Sequence, residues 1–122
     1  MNEAPNKADL MAKLERESLT PQEACDGIRE CFVITHRAFM ESRQPARSTD
    51  EIDAVSNELV LEIYHEQALA PEHVTPAMLR YVVQILNSRF EFLEDPDLSR
   101  VHHDIVEKLL EKPLEPAQTT SP

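Results

Sequence analysis

The stretch TPQEACDGIRECFVITHRAFMESR, residues 20–43, opens with a complete helix start. Thr20 stands at the N-cap, Pro21 at the first helical position and Glu23 at the capping-box position. Beyond them Ala24, Ile28, Cys31, Phe32, Thr35, Ala38 and Phe39 fall on one face at 100° per residue. Asp26, Glu30, Arg37 and Glu41 lie opposite, while Val33, Ile34 and Met40 sit off the main stripe, so this helix is apolar on more than one side. Gly27 is the only glycine in the chain. In a helix interior it costs about 1 kcal/mol relative to Ala, which marks it as a candidate for a close helix crossing.

Working outward from this helix, the same periodicity recurs. One glycine in 122 residues, with Pro and polar residues clustered between apolar runs, leaves too few turn residues for a sheet protein. A short helix over residues 7–17 carries Leu10, Met11 and Leu14 as its apolar stripe. The break QPARSTDE (44–51) places Pro45 after the long helix and offers Ser48, Thr49 or Asp50 as the next cap. A third helix then spans about Asp50 to Leu69, with Ile52, Val55, Leu59, Val60 and Ile63 inward.

The break APEHVTPAM (70–78) leads through Thr75 and Pro76 into a fourth helix ending near Leu93. Its arc of Met78, Leu79, Val82, Val83, Ile85, Leu86, Phe90 and Leu93, widened by Tyr81 and Phe92, predicts the most buried helix of the set. Asp95 and Pro96 start a fifth helix with Leu98, Val101, Ile105 and Leu109 inward. EKPLEPAQTTSP (111–122) is Pro-rich and polar. The expected fold is all-α: a small helical bundle of four main helices plus a short N-terminal helix, with residues 1–112 as one helical domain and 113–122 as a flexible, disordered tail. An up-down arrangement is the simplest, with an irregular orthogonal bundle as its rival.

Charge narrows the function classes. Lys and Arg number 12 against 23 Asp and Glu, for a net charge of -11. The cations are too few and too dispersed to track phosphates, so direct nucleic-acid or anionic-lipid binding is not expected. No apolar run approaches the length of a membrane span. The acid-bearing N-terminus does not read as a secretory signal. Cys25 and Cys31, six apart on one helix, cannot close an intrahelical disulfide. A reducing, cytoplasmic setting is the expectation.

Sites of chemistry are sparse. In NELVLEIYHEQAL (57–69), Glu62 and His65 have the Glu-x-x-His spacing that di-iron bundles use, but such centres need two of these pairs and about four carboxylates. His102, His103 and Asp104 form the next cluster. His102 lies on the apolar face of helix five and reads as a core-edge histidine satisfied by a carbonyl or carboxylate. Cys31 reads as a small buried hydrophobe. Cys25 is nearer its helix N-terminus, whose dipole favours thiolate, and is the better redox candidate. Without a Gly-rich phosphate loop or a nucleophile–base arrangement, no catalytic residue, cofactor or metal ligand is assigned and enzymatic activity is not expected.

The segment Ser48–Leu79 holds seven acids and no Lys or Arg. Glu51, Glu58, Glu62 and Glu66 form a column on helix three, with Leu61 and Tyr64 beside it. These six are the expected partner-binding residues. The leading expectation is a small acidic helical module that binds a protein with a basic surface, as regulator, adaptor or inhibitor. The alternatives are a homodimeric structural protein, or a carboxylate/histidine metal-binding bundle completed by a second chain.

Overall fold

Five helices are present in the computed structural model, which describes residues 6–43, 48–90 and 95–115: α1 (Lys7–Glu15), α2 (Pro21–Arg43), α3 (Thr49–Glu66), α4 (Pro76–Asn87) and α5 (Pro96–Glu111). Among the described residues there is no strand, and one isolated bridge pairs Leu19 with Leu114. The all-α helical bundle is therefore as expected. Pro45, Phe92, Leu93 and residues 116–122 lie outside the described residues.

Local chemistry accounts for most of the helix starts. The Glu23 amide donates to Thr20 Oγ1 at 3.1 Å and the Thr20 amide donates to Glu23 Oε1 at 2.9 Å, the reciprocal capping box. Asn6 Oδ1 accepts from the Asp9 amide at 2.9 Å, and Thr75 Oγ1 from the Met78 amide at 3.2 Å. Asp95 Oδ1 accepts from the amides of Asp97 and Leu98. At α3, Ser48 holds the N-cap position without a side-chain bond. That helix stops when Ala68 turns left-handed at φ 54°. The Leu69 amide then reaches the Tyr64 carbonyl at 2.8 Å and the Ala68 amide reaches His65 at 3.1 Å, a Schellman ending with Ala where Gly is usual.

The central helix is α2, not α4 as the width of its apolar arc predicted. α2 packs against α1, α3 and α5, while the main contacts of α4 are with α3 and α5. Arc width measures one face only. α2 also buries its second face, with Val33 and Met40 enclosed along with Ile28, Cys31 and Phe32. Its polar residues go inward where they find partners. Lys13 Nζ from α1 lies 2.9 and 3.1 Å from the two carboxylate oxygens of buried Glu30. Burial nonetheless raises the Glu30 carboxyl above its ordinary pKa, with Lys13 opposing the shift.

Four apolar residues placed on inward faces from the sequence, Met11, Val55, Tyr81 and Val101, are outside. Val55 is 53% exposed and Val101 52%. On α3, Asp53 is buried because Arg37 clamps it bidentately, Nε to Oδ1 at 2.9 Å and Nη2 to Oδ2 at 2.7 Å. Ser56 is buried against Ile52 and His36. With these polar groups held inward, the inner face of α3 becomes Ile52, Asp53, Ser56, Val60, Ile63 and Tyr64, and Val55 turns out. On α5, His102, Val106 and Leu109 point inward instead of Val101.

The chain end also differs from expectation. Residues 113–115, expected in the tail, lie along the α1–α2 link. The Leu19 amide donates to Pro113 O at 3.0 Å, and the Glu115 amide donates to Leu19 O at 2.7 Å. Ser18 Oγ donates to Glu115 Oε2 at 2.9 Å, and Lys112 Nζ to Arg16 O at 2.5 Å. The partner of this strap is at the other end of the sequence, so no local pattern announced it.

Candidate functional site

The outer face of α3 follows directly from how its inner face is anchored. Glu51, Val55, Glu58, Leu61, Glu62, His65 and Glu66 are all exposed. Glu58–Glu62 and Glu62–Glu66 are like-charge pairs four apart, each costing the helix about 0.2–0.5 kcal/mol. The salt bridges found among the described residues involve none of Glu51, Glu58, Glu62 or Glu66. Leu61, 48% exposed, and Val55 place apolar surface within this acid row.

Tyr64 does not belong to this face. It is only 7% exposed, and its hydroxyl donates to Cys25 O at 2.7 Å. The phenol is thereby a tie between α3 and α2, with its pKa raised by burial. The exposed part of the expected surface is thus Glu51, Glu58, Leu61, Glu62 and Glu66.

Beside Leu61 and His65, a cleft of about 280 Å³ opens between α2 and α3. Arg29 is held at its edge, with Nη1 donating to Asn57 Oδ1 at 2.6 Å and Nη2 3.6 Å from Asp26 Oδ1. Cys25 lies at its floor. Burial, then Asp26 and Glu72, pushes this thiol up to about 11, opposite to the helix-dipole effect expected from its sequence position. Desolvation and neighbouring carboxylates outweigh a partial charge at the helix end. At neutral pH Cys25 is a thiol, not a nucleophilic thiolate.

The fold also makes a pair that the sequence did not suggest. Cys31 Sγ on α2 lies 3.3 Å from His102 Nδ1 on α5, both residues fully buried. The His102 ring stands edge-on to Phe32 at 4.3 Å between centroids. Burial pushes the Cys31 thiol up to about 12. The His102 imidazole is lowered to about 3, by burial first and by His103 second. These directions oppose a thiolate–imidazolium pair, so the contact is a neutral thiol–imidazole hydrogen bond in the core. The only advance signal was that both residues lie on apolar faces. His102 is a core histidine, as expected, but central, and a thiol is among its partners.

Glu62 and His65 remain neighbours on the exposed side of α3. Among the described residues no three His, Cys, Asp or Glu side chains gather as a metal-binding group. Among the same residues no helix is long and apolar enough to cross a membrane. Comparison of the chain with protein-family models, with curated proteins and with solved structures finds no match.

Proposed function

We propose that the chain is a protein-binding module that regulates, escorts or inhibits a partner, and that it captures a basic segment of that partner on the outer face of α3. The observation that carries this reading is the exposed row of Glu51, Glu58, Glu62 and Glu66 interleaved with Val55 and Leu61, in a segment without a Lys or Arg. A cationic segment relieves the repulsion along the row and covers the apolar residues in one step. It also gains association rate from the field of a chain with net charge -11. The two free, buried thiols fit a reducing cytoplasmic compartment.

Site-specific photo-crosslinking tests the proposal. A crosslinker at Leu61 is expected to trap a basic protein, and one at exposed Ser88 on the far end of α4 is not. Reversing Glu58 and Glu62 to Lys is expected to abolish the Leu61 product, and raising salt to weaken it. Equal trapping at both positions, or trapping indifferent to the reversal, would refute the assignment.

A further inference from the structure

The cleft between α2 and α3 adjoins the acid face, yet its base is not acidic. Buried Cys25, Tyr64 and Leu69 line it, and exposed Leu61 stands at its mouth. Three bonds fix its shape. The Tyr64 hydroxyl donates to Cys25 O across the base, and Arg29 on α2 donates to Asn57 on α3 across one edge. The Leu69 amide donates to Tyr64 O, which holds the start of the α3–α4 link against α3. A cleft fixed in this way costs little ordering when it is filled. Cys25, 4% exposed, makes no side-chain hydrogen bond among the described residues. The charges around the mouth are nearly all of one sign. Glu58 precedes Leu61 by three residues and Glu62 follows it, both exposed. Asp26 lines the α2 side, and Asp26 and Glu72 both lie near enough to Cys25 to raise its thiol pKa. Arg29 is the one Lys or Arg in the lining, and Asn57 and Asp26 already engage it.

We propose that this cleft seats one apolar side chain of the basic segment that α3 captures, of leucine or methionine size, with Lys or Arg on either side of it set over the acids of the mouth. The inference rests on that capture and adds the residue by which the segment is recognised. Charge complementarity selects the flanks: Asp26, Glu58, Glu62 and Glu72 attract cations and repel an acidic segment. The same acids disfavour a second copy of a chain whose net charge is -11. The base of the cleft selects the anchor. A Lys or Arg head pushed down to Cys25, Tyr64 and Leu69 would shed water and meet no carboxylate among them. An apolar side chain in the same place leaves water against Leu61, Tyr64 and Leu69, while the cations beside it stay hydrated at the rim. An apolar anchor in a fixed pocket, ringed by charge, is the arrangement that concentrates binding energy in one residue.

Fluorescence anisotropy of the full chain at low salt tests this with two labelled peptides. One is built of Lys and Ala around a single central Leu, and the other has Ser in place of that Leu. The Leu peptide is expected to bind about tenfold more tightly, the gain from burying one such side chain. Gln22→Trp, an exposed first-turn position on the cleft wall, is expected to close the cleft and bring the two peptides to equal affinity. Methyl NMR on the wild-type chain gives the location without a variant: the Leu69 methyl signals are expected to shift with the Leu peptide and stay in place with the Ser peptide. Reversal of Glu58 and Glu62 is expected to weaken both peptides alike. Equal binding of the two peptides by the wild-type chain, or a Leu preference that leaves the Leu69 methyls unmoved, overturns the cleft assignment and leaves capture by the acid face standing. An acidic peptide with the same Leu that binds as well as the basic one overturns the charge selection. Binding of neither basic peptide overturns the capture reading and this inference with it.

Discussion

His102 makes the stability of this protein acid-sensitive in a way that can be calculated and isolated. Its imidazole, fully buried beside Cys31 and Phe32, is lowered from the ordinary 6.5 to about 3. Between these values the unfolded chain binds a proton that the native chain does not. Stability from this group is therefore complete above pH 6.5 and is lost as pH falls toward 3. Linkage puts the loss relative to pH 8 at about 2 kcal/mol at pH 5 and about 3 kcal/mol at pH 4. Against a total near 5–15 kcal/mol for a domain of this size, that is a large share.

The control is His102→Asn, whose amide oxygen can still accept from the thiol and which does not titrate. Urea unfolding followed by circular dichroism, from about pH 8 to pH 4, gives both curves. Glu30, with its raised carboxyl pKa, pulls the other way, since acidification favours its buried neutral form. It is present in both chains and cancels in the difference. The wild-type advantage over the variant is expected to shrink by about 2 kcal/mol between pH 8 and pH 5. A difference that stays flat, or grows on acidification, would show that His102 is protonated in the native core and that the burial argument fails.

Three further outcomes follow from the packing. Ala68→Gly relieves the left-handed residue that ends α3 and is expected to raise stability by about 0.5–1 kcal/mol in urea titration; a loss would mean that the Ala methyl makes a contact worth more than the backbone cost. Gly27→Leu forces a side chain between Leu109 and Lys13 and is expected to cost about 2–3 kcal/mol despite better helix propensity, with a neutral result showing that α1 can lift away. Glu62→Lys converts the pairs with Glu58 and Glu66 from repulsive to attractive, and thermal melting at low salt is expected to show a gain of about 1–2 kcal/mol that fades at high salt. That substitution should strengthen the fold while it weakens partner capture, so a variant that loses capture by unfolding is distinguishable from one that loses the surface.

Helix identity was legible in the chain because its determinants are local. Thr20, Thr75 and Asp95 cap helices from within three residues, and the apolar period of each run needs no partner to be seen. The acid row was legible for the same reason, since Glu58, Glu62 and Glu66 follow one another at helical spacing. What the chain did not disclose is which side of each helix faces which neighbour. Val55 and Val101 look like core residues until Asp53 finds Arg37 and His102 finds Cys31, partners that are distant in sequence. Tyr64 looks like a surface aromatic until the Cys25 carbonyl accepts a hydrogen bond from its hydroxyl. Pro113 to Glu115 look like a free end until Leu19 offers its amide and carbonyl. A buried polar group is tolerated only where a partner removes its desolvation cost. That partner exists only once the helices have met, so the tertiary contacts decided the rotation of α3 and α5, and with it which residues were left to form a surface.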